Sequence, residues 1–328
     1  MNIRMTPQNL YRGALLGLAV GDALGTTLEF QAPGSFSPLT DMAGGGPFGL
    51  QPGQWTDDTS MALCLAESLV ECGGFNPADQ LARYVRWYRD GHWSSTGTCF
   101  DIGTTTAAAL RRFEQTGEPY CGSPDPRAAG NGCLMRLAPV PLRFAGDPAG
   151  AIERSGDSSR TTHGARVCVD ACRYFGGLIA GAVRGASKDE LLAPRFRPDT
   201  GAWTAGELAP EVDAVAVGSF LRHEPPAIRG TGFAVHALEA ALWAFAKARD
   251  FRDGALRAVN LGDDADTTGA IYGQIAGAFF GADGIPSDWR SKLHARADIE
   301  RLADRLHDAA ACPITGRPAQ PPDRPRPL

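Results

Sequence analysis

Hydrophobic positions along the chain recur mostly with a helical period. Leu10, Tyr11, Ala14, Leu15, Leu18 and Ala19 mark one helical face. Met61, Ala62, Leu65, Ala66, Leu69 and Val70 mark a second, and Phe233, Ala234, Ala237, Leu238, Ala241, Leu242 and Phe245 a third. Period-2 alternation is scarce; Val212 to Val217 is the best short strand candidate. The pattern therefore predicts an all-α protein.

Glycine interrupts these helices at regular intervals. Gly13, Gly17, Gly21 and Gly25 are spaced by four, as are Gly177, Gly181 and Gly185, and Gly269, Gly273, Gly277 and Gly281. A helical glycine costs about 1 kcal/mol relative to alanine, so the rows need a reason. Spacing by four lines each row along one stripe, and a stripe without side chains lets another helix approach backbone to backbone. Central helices packed unusually closely are expected, with Gly25 and Gly281 ending theirs. Segments 31–55, 116–132 and 195–211 read as loops. No linker divides two cores, so residues 1–312 are expected to form one domain and the proline-rich 313–328 a disordered tail.

Composition narrows the class. The chain has 328 residues, 43% hydrophobic and 21% charged, with a formal net charge of −5. Such a length can bury roughly 75% of its unfolded surface without disulfides. Mild acidity speaks against general nucleic-acid binding. The eight cysteines form no Cys-x-x-Cys pair and suit a reducing cytoplasm. No apolar stretch is long enough for a membrane span, and the polar N-terminus carries no signal core. The expectation is a cytoplasmic monomer.

Two acidic clusters carry candidate chemistry. Thr56-Asp57-Asp58-Thr59 stands directly before one predicted helix, and Asp263-Asp264-Ala265-Asp266-Thr267-Thr268 directly before the Gly-striped helix at 269–281. One reading is N-capping, which Asp and Thr favour, but capping needs only one or two such residues. The other is a hard divalent ion, since every donor is oxygen. Glu29 and Asp101 are further acidic positions; alone, the first reads as a surface glutamate and the second as a cap for a helix from Thr104. Gly-x-Ser-x-Gly, Walker A and His-Glu-x-x-His patterns are absent.

Taken in order, Gly21-Asp22-Ala23-Leu24-Gly25, Trp55-Thr56-Asp57-Asp58-Thr59, Gly130-Asn131-Gly132-x-x-Met135-Arg136, Thr162-His163 and Gly262-x-Asp264-x-Asp266-Thr267 resemble the ADP-ribosylglycohydrolase family over roughly residues 8–285. Cys99-Phe100-Asp101-Ile102-Gly103 and Leu238–Trp243 look closest to the bacterial branch containing dinitrogenase reductase-activating glycohydrolase, which removes ADP-ribose from arginine. The resemblance implies an orthogonal helical bundle with a binuclear Mg²⁺ or Mn²⁺ cleft. It makes Thr56, Asp57, Asp58, Asp264, Asp266 and Thr267 the ligands of the two ions. It places Glu29 near the scissile bond and Asp101 against the guanidinium, and gives Gly130, Asn131, Gly132, Met135 and His163 to ADP-ribose. The partner is then an ADP-ribosylated protein and the product ADP-ribose. Two departures are visible: Cys133 stands where the family often has Ser or Ala, and Phe233 where bacterial relatives often carry Tyr.

Carboxylates and metals suit cleavage of the ribose–nitrogen bond, which builds oxocarbenium character on the sugar. Other readings are another ADP-ribose linkage (serine, nucleic acid or O-acetyl-ADP-ribose), a metal-dependent phosphohydrolase, or a non-catalytic crystallin-like relative. Both clusters are complete, which weighs against the last.

Overall fold

The computed structural model describes residues 6–311; the tail expected from Pro313 lies outside them. Among the described residues the chain is a succession of α-helices. They are α1 (Pro7–Gly25), α2 (Asp57–Glu71), α3 (Pro77–Asp90), α4 (Thr104–Thr116), α5 (Pro139–Arg143), α6 (Pro148–Arg160), α7 (Arg166–Val183), α8 (Lys188–Leu191), α9 (Pro210–Ala216), α10 (Ala234–Lys247), α11 (Phe251–Val259), α12 (Ala265–Gly284), α13 (Ser287–Lys292) and α14 (Arg296–Ala310). The β structure is one two-residue antiparallel ladder, Phe196–Arg197 on Gly201–Ala202, and a few isolated bridges. The all-α expectation is met. Val212 to Val217 is not a strand: Pro210 opens α9, and Val212, Val215 and Ala216 are buried at helical spacing. A short apolar run does not distinguish the two periods.

The antiparallel pair α1 and α12 forms the centre. A Cβ on Gly13 would overlap the Gly277 carbonyl, one on Gly17 that of Gly273, and one on Gly21 that of Gly269; Gly25 meets Ala265 and Asp266 the same way. The clash is reciprocal from the α12 side, so two of the predicted stripes are each other's partners. Gly281 (φ 72°, ψ 170°) breaks the regular run of α12. The third row differs: Gly177 faces Ile152 and Pro198, Gly181 faces Phe196 and Leu191, and Gly185 (φ 92°) follows the helix end in open space. That row accommodates side chains and brings no second backbone close.

This pairing sets the place of the site. The C-terminal end of α1 meets the N-terminal end of α12, and α2 starts beside both. Buried Gln274 on α12 fixes a further segment. Its Nε2 donates to the carbonyls of Leu134 (3.1 Å) and Met135 (2.7 Å), and its Oε1 accepts from the Ala138 amide (2.7 Å).

Candidate active site

Asp22, buried in the last turns of α1, organises the start of α2. Its Oδ1 accepts from the amide and hydroxyl of Thr56, each at 2.9 Å. Its Oδ2 accepts from the amide (3.0 Å) and hydroxyl (2.6 Å) of Thr59. The free amides of a helix N-terminus are thereby satisfied by a carboxylate one helix away. Asp57 and Asp58 need not cap α2 and are left for other work. Thr56 Oγ1 also lies 3.2 Å from Asp58 and 3.3 Å from Asp266, which ties the two acidic clusters together.

Glu29 performs the matching task at α12. It is buried, and its Oε2 accepts from the amides of Ala265 (2.9 Å) and Asp266 (3.4 Å). It is not the surface residue that its position alone suggests. Asp264 accepts from Asn131 Nδ2 at 2.8 Å, and Asp266 Oδ1 from the Thr267 amide at 2.7 Å.

The carboxylates crowd in a way that suits cations. Asp22, Asp58 and Asp266 each offer an oxygen within 4.8 Å of the others, and so do Glu29, Asp264 and Asp266. Asp266 belongs to both sets. Asp58 Oδ1 is buried without a hydrogen-bond partner, an orphan acceptor that a hard cation would satisfy. Burial, then Asp266, hold the carboxyls of Asp57 and Glu29 well above the ordinary range. For Asp58 the causes are burial, then Asp22; Asp266 is pushed up to about 7, mainly by burial. The residues present therefore fit divalent ions. Asp57 belongs to neither set of three but lines the same cleft as Glu29, Asp264 and Asp266.

The cleft has a volume of about 540 Å³. Glu29, Asp57, Asp101, Asp264, Asp266 and Thr267 line it, and so do Gly130, Asn131, Gly132, Met135 and His163. Of the expected site residues, Thr56 and Asp58 lie beneath this surface. Asp101 is not the cap of α4: that position belongs to Gly103, without a side-chain bond. Asp101 instead stands at φ 60°, pushed up to about 10 by burial, Asp57 and Asp266.

The glycine loop owes its shape to proximity. Neither Gly130 nor Gly132 has positive φ; a Cβ on Gly132 would come within 3.1 Å of His163 Cε1 and 3.3 Å of Thr106 Oγ1. The Asn131 amide is committed to the Gly232 carbonyl at 3.0 Å. Fully buried Arg136 joins loop and histidine, donating to Gly132 O (2.9 Å) and Thr162 Oγ1 (2.6 Å) with its guanidinium over the Tyr84 ring. The Thr162 hydroxyl, holding Arg136 as donor, gives its proton to His163 Nδ1 at 2.8 Å. That assignment leaves the proton of a neutral imidazole on Nε2, beside Gly130 and Gly132. Burial, with Arg136 nearby, lowers His163 to about 4.

Asp22, Arg136 and Gln274 are the supports that sequence reasoning did not assign. A charged or amide side chain inside an otherwise Gly/Ala-rich helix was the available signal for Asp22 and Gln274. Arg136 stood inside a quoted motif without a task.

The sequence profile of the ADP-ribosylglycohydrolase family matches residues 4–313. The ADP-ribosylarginine hydrolase Tri1 of Pseudomonas putida (strain GB-1) is 42% identical over 299 residues, covering 91% of this chain and 78% of that protein. The ADP-ribosyl-[dinitrogen reductase] glycohydrolase of Rhodospirillum rubrum is 33% identical over 303 residues, covering 90% and 94%. A solved structure titled "ADP-ribosylglycohydrolase-related protein complex" superposes with a TM-score of 0.81 at 46% identity, covering 93% of this chain and 99% of that one.

Proposed function

The chain belongs to the ADP-ribosylglycohydrolase family, and from that premise we propose that it is a hydrolase removing ADP-ribose from arginine side chains of ADP-ribosylated proteins. The observation that carries the reading is the orphaned Asp58 oxygen inside a buried carboxylate cluster at the floor of the cleft, in a chain 42% identical to a protein named as an ADP-ribosylarginine hydrolase. Free ADP-ribose is the product.

We assign two Mg²⁺ or Mn²⁺ ions to the site, held by Thr56, Asp57, Asp58, Asp264, Asp266 and Thr267. Sharing of Asp266 between two carboxylate sets supports the number, and the oxygen-only donors support a hard ion. Such ions supply Lewis acidity and fixed positive charge toward a sugar diol and a water. Asp22 holds α2 in register for that purpose without being counted as a ligand.

The chain's own groups divide the remaining work. Glu29 has one oxygen anchored on α12 amides, which leaves the other to orient or deprotonate the attacking water. Asp101 receives the guanidinium through paired hydrogen bonds. Gly130, Asn131, Gly132 and Met135 form the wall for ADP-ribose, and His163 points its Nε2 proton at that wall, a donor suited to a phosphate or ribose oxygen. Among the described residues Cys64, Cys72, Cys99, Cys121, Cys133, Cys168 and Cys172 are free, which fits the reducing cytoplasm we propose. No described helix is long and apolar enough to cross a membrane.

The test is incubation with arginine- and serine-ADP-ribosylated peptides, with and without EDTA, followed by mass spectrometry. Release of intact ADP-ribose from the arginine-linked peptide, abolished by EDTA, is the expected result. AMP as product would establish phosphoester chemistry instead, and release from the serine-linked peptide alone would overturn the arginine assignment.

A further inference from the structure

Phe30 follows Glu29 at the lip of the cleft and lines it. The residue is 68% exposed, and among the described residues only Tyr120 and Leu221 are other large apolar residues that stand exposed. Its backbone is at φ 61°, a strained left-handed conformation that bulky residues avoid. Two hydrogen bonds hold it there: the Phe30 amide donates to Asp263 O and the Asp263 amide to Gln31 O, both at 2.8 Å. Asp263 is itself at φ 56°. The fold thus keeps an aromatic ring in a strained, wet position, and folding alone gains nothing from either property.

The ring does not stand alone. Phe30 meets Phe48 edge-on (centroids 6.3 Å), and Phe48 packs on Phe100 (5.2 Å), the residue before Asp101. An aromatic row therefore links the Glu29 segment to the Asp101 segment along one rim. Glu29 and Asp101, the sequence neighbours of Phe30 and Phe100, both line the cleft, so hydrogen-bond acceptors and an aromatic face occur together. A planar guanidinium has two kinds of contact to satisfy: hydrogen bonds in its plane and a π-face above it. Asp101 is suited to the first; the second has no assigned partner.

We propose that Phe30, backed by Phe48, is the aromatic face on which the guanidinium of the ADP-ribosylated arginine stacks, and so a determinant of linkage specificity. The proposal rests on the arginine-hydrolase reading. It predicts a ring that serves the arginine and is indifferent to the nucleotide.

The test is steady-state kinetics of wild type, Phe30→Ala, Phe30→Leu and Phe30→Trp on an arginine-ADP-ribosylated peptide, with calorimetric binding of free ADP-ribose and thermal melting alongside. Phe30→Ala and Phe30→Leu should both raise KM roughly 3- to 30-fold, the range of a cation–π contact, with a smaller change in kcat. Phe30→Trp should restore KM, and the Kd of ADP-ribose should stay within about twofold. A wild-type KM in Phe30→Leu would mean that apolar area alone matters and would overturn the proposal. So would loss of ADP-ribose affinity in Phe30→Ala, which would place the ring on the nucleotide. A wild type inactive on the peptide overturns the hydrolase reading and this inference with it. An active wild type with an indifferent Phe30→Ala overturns the inference alone.

Discussion

Replacing Asp58 with asparagine is expected to stabilise the metal-free protein and to remove its response to divalent cations. Asp22, Asp58 and Asp266 present oxygens within 4.8 Å of one another; two full charges at that distance repel by about 3.5 kcal/mol at an effective dielectric constant near 20. Proton uptake relieves part of this, because burial and Asp22 hold Asp58 well above the ordinary carboxylate range. The folded carboxyl binds its proton more tightly than the unfolded chain does. The metal-free protein is therefore favoured at low pH and loses that share of stability as pH climbs past the ordinary range. At neutral pH the asparagine, which carries no charge, should recover about 1–2 kcal/mol of that repulsion, the part that proton uptake leaves. With an unfolding entropy near 2.1 cal/mol/K per residue, 328 residues convert 1 kcal/mol into about 1.5 °C. The variant should then melt about 1.5–3 °C above wild type in EDTA. Wild type should gain about 4 °C when Mg²⁺ or Mn²⁺ reaches a hundredfold excess over its Kd, and the variant little or nothing. Melting in EDTA and in saturating cation, at neutral pH and near pH 5, measures all of this. A variant that melts below wild type in EDTA would refute the crowding argument, and one that keeps the cation increment would remove Asp58 from the ligands.

Glu29→Gln should lower kcat by about 10²–10⁴-fold, the usual worth of a general base, with little change in ADP-ribose Kd; unchanged kcat with raised KM would make Glu29 a binding residue. Asp101→Asn keeps the size and tolerates the left-handed backbone, so it should slow arginine-linked substrate by about 1.5–3 kcal/mol of charge-assisted hydrogen bonding and spare an O-linked one, and equal loss on both would move Asp101 to the shared ribose or metal site. Gly17→Ala, whose methyl would overlap the Gly273 carbonyl, should destabilise by about 3 kcal/mol or more and lower cation affinity; a neutral melting point would show that the two helices can part without consequence.

The helices were legible because their buried faces repeat with a period of 3.6, and the three glycine rows announced close contacts, which two of them make. The rows did not name their partners. Gly177 and Gly181 have the same spacing as Gly17 and Gly21 and meet side chains instead, a difference that lies in the neighbour. The acidic clusters were legible as oxygen donors at helix starts. Their supports were not: Asp22 acts by capping a helix 34 positions away, and Arg136 by bridging to Thr162. Such tasks depend on which elements meet, and a single sequence shows residues only in their local frame. Phe30 drew no expectation from the sequence, since neither its left-handed backbone nor its exposure has a local signal.

The cost of the glycine contact and the layout of the cleft belong to one argument. Helices packed through ordinary side chains sit about 8–10 Å apart, and each glycine in a helix interior gives up about 1 kcal/mol against alanine. Stability alone would favour alanine or leucine along both stripes. The stripes nonetheless run to Gly25 on α1 and up to Gly269 on α12, where the residues beyond are the carboxylates. Moving the α12 end away by even a methyl group's width would carry Asp266 from Thr56 Oγ1, now at 3.3 Å, and the Ala265 amide from Glu29, now at 2.9 Å. Metal-ligand distances tolerate only about 0.2 Å, so the metal site we propose, with donors from positions 56–58 and 264–267, needs a rigid spacer between its halves. Backbone on backbone is the stiffest contact available, because it has no rotamers to relax. The glycine rows thus set the separation of the two acidic helix starts, and the stability they forgo buys a fixed geometry at the cleft floor.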